Sequence, residues 1–270
     1  MSAYIIYQIM LRILASVRDL NIVVVGANDG KANDPIYGFT MKKKRETKIL
    51  LIEPNQQLLP YLEDNYSEHP SHKIANCAIG EEGQLVLYSL KREFWKDFNP
   101  KYAKEWPSYR AATGITSALK SEVEDALVRQ NIDPGIAIVG IQVTAKRLGR
   151  VLEELNWPTP IDILQIDAEG YDDMVLRNSN LTSTKPTLIY FETHKMPDEK
   201  VKSLKHYLFR RKYRVYVVGG NSFAIKSAAS PLSFLLTIVM SLYVGLHFLY
   251  SAVSKPFTFL KDILSRHGEK

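Results

Sequence analysis

The sequence has very little cysteine and no strong excess of either charge. Cys77 is the only cysteine among 270 residues, which excludes an internal disulfide and a cysteine-based zinc site and favours a reducing compartment. Lys and Arg number 35 against 29 Asp and Glu, so the formal net charge is only +6. Apolar residues make up 46% and charged residues 24%, a composition that excludes disorder and low-complexity arrays. The length suits one large domain or two small ones.

Charged residues are absent from a long apolar segment near the carboxyl terminus. Residues 232–253 contain no Asp, Glu, Lys or Arg. A helix of that length spans about 33 Å, enough to cross a bilayer core of about 30 Å. Half of the net charge lies from Lys226 onward, beside this segment. The sequence therefore predicts a hydrophobic, basic, membrane-associating tail over 227–270, with residues 232–253 either spanning the bilayer or lying in it.

Two further stretches bear on this prediction. After Pro256, the apolar residues of 257–267 share one helical face, as in an interfacial helix. Residues 1–14, within the N-terminal stretch 1–20, are apolar but interrupted by Arg12, and they lack a basic start and a small-residue cleavage site. They predict a packed or interfacial helix rather than a signal peptide. We expect a membrane-associated protein whose catalytic domain lies in the cytoplasm.

Strand and helix patterns alternate over residues 21–226. Strands are predicted at 21–25, 48–53, 73–78, 84–90, 136–143, 161–166, 187–192, 213–218 and 222–225, the fourth of them in a hairpin that turns at 81–83. The alternation predicts an α/β fold with a mostly parallel, doubly wound sheet, a carboxyl-terminal antiparallel hairpin and a hydrophobic carboxyl-terminal helix. Residues 91–135 break the pattern with aromatic residues among Lys and Arg, which suggests a lid or acceptor-binding insertion.

Glycines and a carboxylate follow the first two strands. Gly26 and Gly30 belong to a loop that lets the backbone approach a ligand, although its spacing differs from the G-x-G-x-x-G of dinucleotide sites. Glu53 ends the second strand, where a carboxylate can accept both hydroxyls of an adenosine ribose. Taken together, the glycine loop and Glu53 favour ribose binding over a solvated strand end.

Acidic residues and a histidine follow two later strands. Asp167 and Glu169 come after the predicted strand 161–166. They either contact a ligand or serve as a cap at a solvated sheet edge. Glu192 and His194 follow 187–192, and His194 is a proton acceptor or a structural hydrogen-bond partner. Alternatively, Asp167 with Glu169 or Glu192 could bind a divalent cation that acidifies a hydroxyl, an interpretation that we favour less.

Five short motifs occur in order within residues 15–226: Val25-Gly26-Ala27-Asn28-Asp29-Gly30, Asn33-Asp34-Pro35, Ile52-Glu53-Pro54, Ala78-Ile79-Gly80 and Ile166-Asp167-Ala168-Glu169-Gly170-Tyr171. In this order they resemble the FkbM-type methyltransferase family. The resemblance implies a Rossmann-like class I methyltransferase fold, S-adenosylmethionine as cofactor and O-methylation of a hydroxyl. It also places Gly114-Ile115-Thr116-Ser117 near the acceptor. At Val24 the chain departs from the family, which usually has an acid there, near the methionine amino group.

The resemblance and the residue types together define the candidate site. The expected cofactor contacts are Gly26, Ala27, Asn28, Gly30, Glu53, Pro54, Ala78, Ile79, Asp167 and Glu169. An alcohol acceptor needs a base, for which His194 and Asp167 are the candidates. The acceptor is expected to be a hydroxyl of a glycan, a lipid-linked sugar or a natural product.

Other functional classes remain open at this point. A nicotinamide dehydrogenase shares the fold class, but the loop spacing and the final hairpin count against it. A nucleic-acid methyltransferase fits the positive charge, yet Asp167-Ala168-Glu169-Gly170 stands where amino-group methylation usually has an Asn/Asp-Pro-Pro-aromatic turn. A membrane-tethered binding or scaffold protein with a decayed methyltransferase fold is the third alternative, supported by Val24.

Overall fold

The computed structural model describes residues 3–227 and 230–246. Strands are β1 (Leu20–Val25), β2 (Thr47–Ile52), β3 (His72–Ala75), β4 (Ala78–Ile79), β5 (Gly83–Leu90), β6 (Ile138–Lys146), β7 (Ile163–Ile166), β8 (Leu188–Glu192), β9 (Tyr213–Val218) and β10 (Asn221–Lys226). Helices are α1 (Ala3–Ala15), α2 (Tyr37–Lys42), α3 (Leu59–Tyr66), α4 (Ser108–Thr113), α5 (Lys120–Val128), α6 (Pro134–Ala137), α7 (Leu148–Glu154), α8 (Asp172–Arg177), α9 (Leu181–Thr184) and α10 (Asp198–Arg210), followed by α11 over 231–246.

Seven strands form one sheet in the order β3-β2-β1-β7-β8-β10-β9. The pairs from β3 to β8 are parallel, and β10 pairs antiparallel with both β8 and β9. The strand order reverses between β1 and β7, since β2 and β3 lie on one side of β1 and β7 and β8 lie on the other. At such a point, doubly wound sheets form a ligand crevice at the carboxyl ends of their strands. The predicted α/β fold with a mostly parallel sheet and a carboxyl-terminal hairpin is confirmed.

The central strands are buried on both faces, which explains their continuous apolar runs. Ile22 and Val24 of β1 belong to one apolar cluster, whereas Val23 and Val25 belong to the cluster on the opposite face. Successive side chains of a strand point to opposite faces, so both clusters need apolar residues from it. Helices α1, α2, α3 and α11 cover the first face, and α7, α8 and α10 cover the second.

Helix α1 is tied to the sheet by an aromatic side chain and one polar contact. The ring of Tyr7 stacks on Tyr190 of β8 with 4.3 Å between centroids. Its hydroxyl donates to Oε1 of Gln165 in β7 at 3.0 Å. A buried tyrosine hydroxyl needs such a partner, so the pair fixes where α1 lies on the sheet.

The predicted hairpin at 81–83 is wrong, since β5 finds its partner elsewhere. β5 pairs antiparallel with β6, and the order β4-β6-β5 makes a separate three-stranded sheet. The predicted strand 73–78 divides into β3 and β4, because Asn76 turns away and donates to the carbonyls of Glu53 and Pro54. Alternation of apolar residues predicts a strand but does not identify its partner.

Residues 91–135 join β5 to β6 and contain α4, α5 and the start of α6. They pack around an apolar cluster of their own that includes Phe98, Ala112, Val123 and Leu127. Their function as a lid stays a prediction.

Helix α11 packs against the sheet on the same face as α1. Leu236, Met240 and Tyr243 are buried there with the residues of α1. Within residues 3–227 and 230–246, no helix is long and apolar enough to cross a membrane. Residues 247–253 of the predicted membrane segment, and the amphipathic stretch after Pro256, lie outside the described residues.

Substitution of Leu236 by Ala tests the packing of α11. Leu236 is fully buried, so we expect the free energy of unfolding to fall by about 2–5 kcal/mol in urea titrations. Its neighbour Leu235 is 46% exposed, and Leu235→Ala should change the value by less than about 0.5 kcal/mol. Equal effects of the two substitutions would contradict the packing.

Candidate active site

The loop after β1 approaches the loop after β7 very closely. Gly26 has a φ of +77°, and a Cβ built on it would lie 1.9 Å from the carbonyl oxygen of Asp167. The backbone N–H groups of Gly26 and Ala27 both donate to the carbonyl of Ile52. Only glycine fits this position, because a side chain would force the two strand ends apart.

Glu53 joins the loops that follow β1 and β2. Its Oε2 accepts the backbone N–H of Asn28 at 2.7 Å, and its Oε1 accepts that of Asn55 at 2.8 Å. The residue is only 6% exposed. Burial raises the pKa of Glu53 to about 7, although both hydrogen bonds favour the charged form.

A cavity lies beside Glu53 at the carboxyl edge of the sheet. Eight of the ten residues expected to contact a cofactor line it: Gly26, Asn28, Glu53, Pro54, Ala78, Ile79, Asp167 and Glu169. Ala27 and Gly30 do not. Gly30 instead has a φ of +69°, and a Cβ there would come within 2.7 Å of Leu62 and Tyr66, so this glycine serves the packing of α3.

A cluster of carboxylates follows β7 and β8. Asp167 is half-buried, and its Oδ1 is buried without a hydrogen-bond partner among the described residues. Burial raises the pKa of Asp167, opposed by the positive charges of Arg110 and Lys195. Burial and the charge of Asp167 raise the pKa values of Glu169 and Glu192 as well. The cluster thus holds more protons near neutral pH than free carboxylates do.

His194 and Lys195 bring basic groups to these carboxylates. Nδ1 of His194 lies 3.4 Å from Oε2 of Glu192. Lys195 Nζ donates to Oε2 of Glu169. Burial lowers the pKa of His194, so its ring is neutral at pH 7 and able to accept a proton.

A second cavity, of about 390 Å³, opens on the other side of Asp167. His194, Lys195, Glu169 and Glu192 line it on the sheet side. Its remaining wall comes mainly from residues 91–135, including Phe98, Tyr102, Trp106, Gly114, Ile115 and Arg129. Asp167, Glu169, Arg110 and Gly114 line both cavities, so the two spaces adjoin at these residues.

Sequence patterns missed several residues of this edge. Arg110 is buried, donates to the carbonyl of Ala32 at 3.0 Å and lies 3.7 Å from Asp29. Tyr109 donates to Asp29 at 3.1 Å. Both belong to the 91–135 insertion, which carries no periodic pattern that places it over the site. Lys195 was detectable, since it directly follows His194.

The departure at Val24 lies away from the cavities. Val24 is 1% exposed and packs in the apolar cluster beneath α1 and α2. Its backbone pairs with Leu51 and Gln165 in the sheet. The carboxylates of Glu53 and Asp167 lie next to the glycine loop. In the part of the chain that the structure describes, no group of three or more His, Cys, Asp and Glu residues is arranged to hold a metal ion.

The raised carboxyl pKa values predict how stability changes with pH. Burial raises the pKa of Asp172 to about 8, and that of Glu53 to about 7. A group whose pKa is raised in the folded state contributes stability that is fully present below its unfolded-state pKa. This contribution is lost as the pH rises through the folded-state pKa. From about pH 7.5 to pH 9, His69 and His194 are neutral in both the folded and the unfolded chain, so the raised carboxyl pKa values dominate and we expect the free energy of unfolding to decrease.

Urea titrations at several pH values check this expectation. Glu192→Gln should flatten the decrease, because one of the carboxyls that hold a proton is gone. Exposed Glu153→Gln is the control and should keep the wild-type slope. Stability that increases over this interval would contradict the raised pKa values.

Comparison with known proteins identifies the family. The family model for the methyltransferase FkbM domain matches residues 25–215. None of the curated proteins is significantly similar in sequence. Among solved structures, the precorrin-6y C5,15-methyltransferase of Geobacter metallireducens is 10% identical, with a TM-score of 0.38 over 81% of this chain and 83% of its own. Fibrillarin of Aeropyrum pernix, solved with natively bound S-adenosyl-L-methionine, is 8% identical, with a TM-score of 0.40 over 79% and 74%. On the strength of the family match, the chain belongs to the FkbM family of S-adenosylmethionine-dependent methyltransferases.

Proposed function

We propose that the protein transfers a methyl group to a hydroxyl of a glycan, a lipid-linked sugar or a natural product at a membrane. The observation that carries this proposal is the position of Asp167 between the two cavities. One cavity holds Glu53 and the glycine loop, and the other holds His194. A donor and an acceptor bound in these cavities would meet at the same carboxylate.

The first cavity fits S-adenosylmethionine by the chemistry of its buried polar atoms. Each oxygen of Glu53 accepts one backbone N–H, which leaves a lone pair on each for a ribose hydroxyl. Oδ1 of Asp167 has no partner among the described residues and suits the ammonium group of the methionine part. When bound, the cofactor supplies an electrophilic methyl group on a sulfonium.

His194 is the proposed base. A neutral imidazole at the acceptor cavity can take the proton of the acceptor hydroxyl, and Glu192 beside Nδ1 would stabilise the imidazolium that forms. Asp167 lies at the junction of the cavities, where its carboxylate can orient the hydroxyl or serve as a second proton acceptor. Arg110 and Lys195 limit the electrostatic cost of these buried carboxylates.

The acceptor cavity has the composition of a site for a polyhydroxylated ligand. Tyr102 and Trp106 form an edge-to-face pair with 5.6 Å between centroids, and Arg110 lies 5.4 Å from the Trp106 ring. Aromatic faces suit the apolar faces of sugar rings, while Glu122 and Glu192 provide acceptors for hydroxyls. The apolar segment 232–253 supports an acceptor at a membrane, and the lone Cys77 supports a cytoplasmic catalytic domain.

Isothermal calorimetry tests the cofactor site. The wild-type chain should bind S-adenosylmethionine, and Glu53→Ala should weaken binding by about tenfold or more, because the ribose hydroxyls lose a charged acceptor. Exposed Glu153→Ala is the matched control and should bind as the wild type does. A folded wild-type sample that binds no cofactor at millimolar concentration would refute the proposal.

Substitution of His194 tests the base separately from binding. His194→Gln should retain cofactor affinity and lower methyl transfer to a hydroxyl acceptor by about 100-fold or more, since general-base catalysis contributes that much. His206→Gln, on the exposed side of α10, should leave both unchanged. Transfer is measured as the methyl increment in the mass of the acceptor. Unchanged turnover in His194→Gln would remove His194 as the base.

A further inference from the structure

Helix α11 has an apolar outward side as well as an apolar inward side. While Leu236, Met240 and Tyr243 face the sheet, the opposite side exposes large apolar residues: Phe234 at 62%, Leu235 at 46%, Ile238 at 39%, Leu242 at 63% and Leu246 at 57%. No Asp, Glu, Lys or Arg occurs between Lys226 and Lys255. A helix of a soluble domain normally carries charged or polar residues on its outward side, so this side is unusual.

Helix α1 extends the same surface. Its outward residues Tyr4, Ile5 and Ile9 are 54%, 48% and 39% exposed. Both helices pack into one apolar cluster on one face of the seven-stranded sheet, so their outward sides point the same way, away from that sheet. We call the outward residues of α1 and α11 the outer apolar surface.

The outer apolar surface reaches the carboxyl edge of the sheet, where the two cavities lie. β10 runs antiparallel to β8, which puts Lys226 at the opposite edge, where α11 begins soon after. Ser241, ten residues into α11, lies 3.2 Å from the hydroxyl of Tyr216, midway along β9, so α11 runs back toward the carboxyl edge. At that edge, Ala3 and Tyr4 line a third cavity of about 430 Å³ that also contacts Asp167 and Glu192.

We infer that the outer apolar surface docks on a lipid bilayer, with α1 and α11 lying in the plane of the interface. Charge supports a bilayer as the partner. The α11 side carries no charge to pair with a protein, whereas exposed Arg12 lies about two turns beyond Ile5 on the outward stripe of α1, where a guanidinium reaches lipid phosphates. Lys226 stands at the edge where α11 starts, placed to do the same.

The chain outside the described residues also supports a bilayer. Residues 247–254 continue the uncharged run directly from α11, and Lys255, Lys261, Arg266 and Lys270 follow. Asp262 and Glu269 leave this terminal stretch with a net charge of +2, and an uncharged segment followed by a net positive one suits an interface rich in anionic headgroups. The role of the third cavity rests on the proposed function: it gives a membrane-held acceptor a path along the start of α1 to Asp167.

Vesicle sedimentation with the full chain tests this inference. The chain should sediment with phosphatidylcholine vesicles, and more strongly when phosphatidylglycerol is included. The triple variant Leu235→Gln, Ile238→Gln, Leu242→Gln and the double variant Ile5→Gln, Ile9→Gln should each reduce the bound fraction at least about tenfold, since burying each of these side chains favours binding. All five positions are exposed, so the variants should fold.

Phe209 provides a matched control on the other side of the molecule. It is 72% exposed on α10, which packs on the opposite face of the sheet, so Phe209→Gln should bind vesicles as the wild type does.

Vesicle binding that survives both sets of substitutions would overturn the inference, as would binding lost only on removal of 247–270. A dimer of the wild-type chain that both variants dissociate, without vesicle binding, would assign the surface to a second copy. Retention after an alkaline carbonate wash would indicate a spanning segment and would overturn in-plane docking.

Cofactor binding separates this inference from the proposed function. Both outer-surface variants should bind S-adenosylmethionine with wild-type affinity in calorimetry, because no substituted residue lines the first cavity. Absence of cofactor binding in the wild type would refute the proposed function while leaving the vesicle result intact. Loss of vesicle binding alone would leave the proposed methyl transfer standing and would remove only its place at a membrane.

Discussion

The close approach of Gly26 to the carbonyl of Asp167 constrains how the rest of the site is arranged. Because residue 26 has no side chain, the strand ends of β1 and β7 stay side by side, and the N–H of Asp167 donates to the carbonyl of Val25 at 3.0 Å. These contacts fix the backbone of Asp167, which lines both cavities. The position of Asp167 is therefore set by the sheet rather than by a flexible loop.

A second constraint follows from placing so many carboxylates together. Asp167, Glu169, Asp172 and Glu192 share one end of the sheet, and burial disfavours the charge on each of them. Asp172 accepts the backbone N–H groups of Ala168 and Glu192, so it links the loops after β7 and β8. The free energy of unfolding is therefore lower at high pH than it would be without these buried carboxyls. Such clusters of perturbed carboxyls are typical of functional sites.

The sheet-end residues could be predicted from the sequence because parallel strands bring their carboxyl ends to one edge. Glu53, Asp167 and His194 each follow a recognisable strand, so three local patterns were enough to bring them to the same edge. The contribution of Arg110 and Tyr109 could not be predicted in this way. Their segment has no regular periodicity, and its placement depends on β5 pairing with β6, which lies about fifty residues further along the chain. Local patterns also cannot separate a glycine needed for a ligand from one needed for packing, as at Gly30.

The membrane prediction shows a related difficulty. Composition alone predicts a membrane segment wherever a run of uncharged residues is long enough to span a bilayer. The inward side of α11 instead follows a helical spacing, seen at Leu236, Met240 and Tyr243. Both patterns occur in the same segment. Only the packing distinguishes the side of α11 that belongs to the domain core from the side that does not.

The insertion between β5 and β6 has a consequence for how this enzyme can change over evolutionary time. Residues 91–135 build most of the wall of the cavity beside His194, yet they fold around their own apolar cluster and add no strand to the seven-stranded sheet. Cavity-lining residues such as Tyr102 and Arg129 can therefore change without moving Gly26 or Glu53, whereas Tyr109 and Arg110 bond to the glycine loop and to the chain just after it. Under the proposed function, such an arrangement separates selection for a new substrate from selection to keep the cofactor site.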